Sequence, residues 1–125
     1  MANILLAEDS KVVRVILTEH LESEGFTVIT AVDGPEAFKK AREHQEKIDL
    51  MITDLNMPGM DGDELLQQLR LAGINFPAIL QTGLENLDRH RTKFISIGFA
   101  EVIDKMKLAE EIIPAVQRAL STEKC

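Results

Sequence analysis

The apolar and polar positions of this chain alternate two signatures: short unbroken apolar runs, and longer stretches with apolar residues at helical spacing. Residues 3–7 (Asn-Ile-Leu-Leu-Ala) are the first run and end on Glu8-Asp9-Ser10. No polar face interrupts the run, so it predicts a strand buried on both sides. Ser10 or Asp9 caps the helix that follows, whose inward stripe is Val13, Ile16, Leu17 and Leu21, and Gly25 ends it. Residues 26–30 are rich in β-branched side chains and predict a second strand. Asp33-Gly34-Pro35-Glu36 opens a second helix, with proline at its start and Ala37, Phe38 and Ala41 inward, running to His44.

The third run, residues 50–52, ends on Thr53-Asp54 and meets a turn-forming cluster built on Pro58, Gly59 and Gly62. A third helix then carries Leu65, Leu66 and Leu69 and closes at Gly73. Residues 77–82 predict a fourth strand, with Pro77 tolerated at its first position. The fourth helix, residues 85–97, sets Leu87, Phe94 and Ile97 beneath a charged surface of Asp88, Arg89, His90, Arg91 and Lys93. A fifth strand over 100–103 ends at Asp104-Lys105, and a last helix uses Leu108, Ile112, Val116 and Leu120. Pro114 inside that helix removes a backbone donor, so a kink or a late regular start is expected.

Five strands alternating with five helices predict an α/β fold whose parallel sheet is covered on both faces. For strand order 2-1-3-4-5, right-handed crossovers put helices one and five on one face and helices two to four on the other. Periodicity does not select that order over the other common doubly wound one. It would, however, bring Glu8, Asp9, Asp54, Thr82 and Lys105 to a single rim.

Composition narrows the setting. The chain has 125 residues, 45% hydrophobic and 28% charged, which suits one globular domain over residues 1–125 with no linker and no effector domain. Its single cysteine, Cys125, excludes an intrachain disulfide and a cysteine metal cluster and fits a cytoplasmic protein. The amino terminus lacks a basic n-region, and no apolar run approaches membrane-spanning length, so no membrane role is expected. A net charge of −7 argues against direct nucleic-acid binding.

Asp54 is the central candidate because a carboxylate at the carboxyl end of a buried strand sits where open α/β sheets bind ligands. Each candidate has a plainer reading by itself. Asp54 could cap a turn, Glu8-Asp9 could favour a helix start, Thr82 could begin a turn and Lys105 could be a solvated charge. Their conjunction at different strand ends points to chemistry. Three neighbouring carboxylates disfavour one another's ionisation unless a cation joins them, and Mg²⁺ suits few carboxylates plus retained waters. With Asp54 as nucleophile toward a phosphoryl group, the metal and Lys105 would neutralise the transferring oxygens. The Thr82 hydroxyl and Gly83 N–H would then serve the added phosphate, and drawing Thr82 inward would reshape the loop before the fourth helix.

Leu5-Leu6-Ala7-Glu8-Asp9-Ser10, the stretch Asp54-Leu55-Asn56-Met57-Pro58-Gly59-Met60-Asp61-Gly62, Thr82-Gly83 and Lys105 together resemble the response-regulator receiver domain of bacterial two-component signalling. The resemblance covers residues 2–121 and implies the flavodoxin-like fold with order 2-1-3-4-5. It implies that Asp54 accepts a phosphoryl group from a histidine of a sensor histidine kinase or histidine phosphotransfer protein. It also implies Mg²⁺ held by Asp9, Asp54 and the Asn56 backbone carbonyl, with Glu8 acting through water. Thr82 and Lys105 would contact the phosphoryl group, and the Asn56 side chain and Leu84 would tune its lifetime. The domain would be a switch rather than an enzyme acting on a separate substrate. Its output would pass through the fourth helix, fifth strand and fifth helix to a protein partner, an appended effector or a second copy.

The chain departs from the family at three places. Met106 stands where proline usually follows the lysine, so the family's cis peptide is not expected there. Val102 stands at the switch-aromatic position, so the signal is expected to leave by a modified route. Glu8 replaces a frequent aspartate, which the family tolerates. Val102 and Met106 motivate a second reading, a phosphate-independent interaction module, against which the intact acidic cluster, Asp54 and Lys105 weigh. A haloacid-dehalogenase-like phosphatase would need an acid two residues past the nucleophile, where Asn56 stands. In a flavodoxin, Glu8-Asp9 would repel the flavin phosphate.

Overall fold

The apolar runs form the interior of one parallel sheet. A computed structural model describes residues 2–123, so the singled-out Cys125 lies outside the described residues. The elements are β1 (Asn3–Ala7), α1 (Lys11–Ser23), β2 (Thr27–Ala31), α2 (Gly34–Glu43), β3 (Leu50–Asp54), α3 (Gly62–Leu71), β4 (Ala78–Thr82), α4 (Leu87–Ile97), β5 (Glu101–Asp104), a 3₁₀ turn (Lys105–Lys107) and α5 (Leu108–Glu123). The strand order is β2-β1-β3-β4-β5, all parallel, as the flavodoxin-like expectation requires.

Alternation along each strand decides what reaches the rim. On β3, Leu50 and Ile52 pack with Leu17 and Leu21 of α1 and Ile112 and Val116 of α5, whereas Met51 packs with the helices of the other face. Ile4 and Leu6 of β1 and Ile79 of β4 also belong to the α1/α5 layer. Two residues on, the same side receives Glu8, Asp54 and Gln81. Leu80 belongs to the α2–α4 layer, so Thr82 starts from the opposite side of the sheet.

Ser10 caps α1 by accepting a hydrogen bond from the Val13 N–H, and Asp33 caps α2 through the Glu36 N–H at 2.7 Å. Several local expectations change. Ile16 is 59% exposed because α1 turns only Val13, Leu17 and Leu21 inward. The second and fifth strands each lie one residue further on, at Thr27–Ala31 and Glu101–Asp104, and the fourth starts after Pro77, at Ala78. The fourth helix starts at Leu87 because Asn86 takes a left-handed conformation (φ 56°), which breaks the run from residue 85. Helix α5 spans Pro114 instead of starting after it. Pro114 and Glu110 are both exposed, so water can satisfy the Glu110 carbonyl that the missing donor leaves free.

Candidate functional site

The site lies at the carboxyl ends of β1, β3, β4 and β5. Glu8 follows β1 and is fully buried, Asp54 closes β3 at 6% exposure, and Asp9 is exposed. One carboxylate oxygen from each of these three residues lies within 4.8 Å of the others. Lys105, the first residue after β5, reaches back with Nζ 2.8 Å from Asp54 Oδ2 and 3.3 Å from Glu8 Oε1. Asp54 Oδ1 accepts from the Leu55 N–H at 2.8 Å, which fixes the other side of the carboxylate.

Burial is the main force on Glu8. It raises the pKa above the ordinary carboxylate value; the Ser10 N–H opposes it, the Asp54 charge reinforces it, and Lys105 opposes it again. Burial also works to lower the Lys105 pKa, but the hydrogen bonds and charges of Asp54 and Glu8 outweigh it and hold the ammonium above its ordinary value. Lys105 therefore stays cationic at neutral pH.

The Glu8 shift has a consequence for stability. A carboxyl raised in the folded state contributes stability that is present below its unfolded pKa and lost as pH rises through the folded one. Raising the pH through the folded pKa therefore forces a buried charge onto Glu8 in the metal-free protein. Glu8→Gln is expected to raise the melting temperature of metal-free protein by about 2–5 °C near pH ~7.5, with the gain shrinking toward pH ~5. Calorimetry across that range checks it; a variant that melts below wild type at the upper pH contradicts it.

The other expected residues are distributed as follows. Thr82 is buried, and its hydroxyl accepts from the Leu84 N–H at 3.1 Å, on the far side of the sheet from Asp54. Gly83 is exposed, and a side chain there would meet nothing within 4 Å. Leu84 is half-buried against the α2–α4 layer, and Asn56 is exposed two residues past Asp54. Val102 is buried, and its carbonyl accepts from Nη1 of Arg91, a side chain of α4 that also pairs with Asp88 at 2.8 Å. Every described peptide bond is trans, including the one after Lys105.

Two participants lie outside the expected set. Arg91 reads in sequence as one of several solvated helix charges. Gln81 reads as an ordinary strand residue, yet it is fully buried and donates from Nε2 to Glu8 Oε1 at 2.9 Å. The available signal was one amide in an otherwise apolar run.

A hard divalent cation fits this donor set. Three carboxylate oxygens converge beside a buried amide whose Oε1 has no partner, an acceptor that a water can fill.

A doubly wound parallel sheet with a lysine-paired aspartate and an acidic cluster on its carboxyl rim defines the receiver class. The chain belongs to that family: the profile described as response regulator receiver domain matches residues 4–117. The alkaline phosphatase synthesis transcriptional regulatory protein PhoP of Bacillus subtilis is 42% identical over 79 residues, covering 63% of this chain and 32% of that protein. A response regulator receiver domain protein from Clostridium thermocellum superposes with a TM-score of 0.90 at 27% identity, covering 99% of this chain and 98% of that one. The response regulator TrrA from Thermotoga maritima, solved with Mg²⁺–BeF, gives 0.83 at 31% identity, covering 96% and 100%. The chain spans between 8% and 56% of the length of the first curated relatives it matches.

Proposed function

We propose that Asp54 accepts a phosphoryl group from a phosphohistidine of a sensor histidine kinase or histidine phosphotransfer protein, and that the resulting charge alters the α4-β5-α5 face. The observation that carries this reading is the Lys105 ammonium, 2.8 Å from Asp54 Oδ2 within the carboxylate cluster. An Asp54 oxygen attacks phosphorus as the P–N bond breaks, and the electron pair of that bond returns to the imidazole nitrogen. Bound Mg²⁺ supplies positive charge to the transferring phosphoryl oxygens. Glu8, Asp9 and Asp54, with the Asn56 carbonyl, would hold it. Lys105 stays protonated and offers its charge to the same oxygens.

The switch follows from the new acceptor oxygens, which need donors. The Gly83 N–H lies at the end of β4, and the Thr82 hydroxyl would have to leave the Leu84 N–H and turn toward Asp54. That movement pulls on the loop leading to Asn86 and α4. The Arg91 contact with the Val102 carbonyl couples α4 to β5 and supplies a route that needs no aromatic at position 102. Asn56 and Leu84 flank the site as the residues proposed to set phosphoryl lifetime. Exposed Val12, Val15 and Ile16 on α1, with Met106 beside Lys105, support docking of a donor protein. Residues 2–123 form one receiver unit in this reading, and a cytoplasmic location accompanies it. No described helix is long and apolar enough to cross a membrane.

Intact mass after incubation with acetyl phosphate tests the proposal. Wild type is expected to gain one base-labile phosphoryl group with Mg²⁺ and none after chelation. No adduct, and no amide shifts by NMR with beryllofluoride and Mg²⁺, would leave the phosphate-independent interaction module in its place.

A further inference from the structure

We propose that Gln81 is a positioning residue of the cation site, its buried amide holding the Glu8 carboxylate in the orientation that serves a bound Mg²⁺. The inference rests on the cation-binding part of the proposed function and adds a residue from outside the acidic cluster.

Gln81 is poorly explained by packing. It sits in the run Ala78-Ile79-Leu80-Gln81-Thr82 and is fully buried, beside Asp54 of β3 and Ile103 of β5 in the sheet register. A buried amide with unmet hydrogen bonds is destabilising, and leucine or methionine would fill the same space without that cost. The amide has one described partner, Glu8 Oε1 at 2.9 Å. Its own Oε1 has none.

Glu8 explains the expense. Three donors reach its carboxylate: the Ser10 N–H on Oε2 at 2.9 Å, the Gln81 amide on Oε1 at 2.9 Å, and Lys105 Nζ on Oε1 at 3.3 Å. Lys105 is shared with Asp54 and lies closer to it, so it is a poor anchor for Glu8 once phosphoryl oxygens compete for the ammonium. The Ser10 N–H and the Gln81 amide are neutral, fixed by backbone and strand, and grip opposite oxygens. Together they set the plane of a carboxylate on a side chain with one more rotatable bond than aspartate. The unpartnered Gln81 Oε1 leaves the amide able to accept from a water, and a Mg²⁺ site with few carboxylates retains waters.

The test is a titration of the whole chain with Mg²⁺ alone, followed by amide shifts in NMR, for wild type, Gln81→Met, Glu8→Asp and the double variant. Loss of such an outer hydrogen bond typically weakens metal binding 10–100-fold, so Gln81→Met is expected to raise the Kd about tenfold. In the Glu8→Asp background the shortened carboxylate withdraws from the amide, and Gln81→Met is expected to change the Kd less than about twofold. Thermal melts establish that each variant is folded. Should the methionine variant not fold, Gln81→Asn removes the same bond with a polar side chain and is expected to raise the Kd likewise.

An equal loss in both backgrounds means a merely structural role and overturns the proposal. So does a Gln81→Met Kd within about twofold of wild type, or a wild type that does not bind Mg²⁺. Acetyl phosphate added to the same samples separates the two readings. Coupling between Gln81 and Glu8 without a phosphoryl adduct supports this inference and removes the phosphoacceptor reading. An adduct without coupling does the reverse.

Discussion

Asp54→Asn is expected to take up no phosphoryl group from acetyl phosphate with Mg²⁺, and Lys105→Met to take it up about 10²–10³-fold more slowly than wild type. The two variants separate nucleophile from charge. Asparagine preserves the size of the side chain but replaces the carboxylate proposed to attack phosphorus with a neutral amide. Methionine preserves much of the lysine stem while deleting the only cation described within ion-pair distance of Asp54 and Glu8. With the ammonium gone, the transferring oxygens lose a partner held in a partly dry site, where such a charge is worth far more than in water. Stopped-time intact-mass measurements give both rates, and melting curves show whether each variant is folded. A full adduct on Asp54→Asn would place the acceptor elsewhere. An unchanged rate for Lys105→Met would reduce Lys105 to a structural counter-ion.

What made Glu8, Asp9, Asp54 and Lys105 legible in the sequence is that each follows an apolar run. Once the runs are parallel strands, their carboxyl ends must share a rim, and the side chains need only the right parity to meet. Gln81 fails that reading because it lies inside a run. Its significance depends on register, which sets it beside Asp54, and on the reach of Glu8. Arg91 fails for a related reason: whether a helical arginine is solvated or crosses to the Val102 carbonyl depends on the rotation of α4 against β5. Helical rotation also decided Ile16. Spacing admitted four inward positions on α1, and the contact with the sheet uses three. The late start of α4 turned on one left-handed residue, Asn86, a conformation that asparagine tolerates without announcing it.

Gly62→Ala is expected to destabilise the fold by about 2–4 kcal/mol, lowering the melting temperature by roughly 10–20 °C, and to slow phosphoryl uptake although Gly62 touches no reacting atom. The reason is the approach of α3 to the end of β3. A Cβ on Gly62 would run into the Asp54 carbonyl oxygen and lie 3.3 Å from the Leu55 Cα, both backbone atoms that cannot swing aside. The Gly62 N–H also donates to the Leu55 carbonyl at 2.7 Å, closing the loop from Leu55 to Asp61 onto the strand that carries Asp54. Relief of the clash must lift the first turn of α3 or displace residues 54 and 55, and either path moves the Leu55 N–H that fixes Asp54 Oδ1. Gly83→Ala is the matched control, since its Cβ would meet nothing within 4 Å. Its stability is expected to stay within about 0.5 kcal/mol of wild type. Equal melting temperatures for Gly62→Ala and wild type would mean that the β3–α3 junction yields freely. Asp54 would then owe its position to Lys105 and the sheet rather than to the loop beneath it.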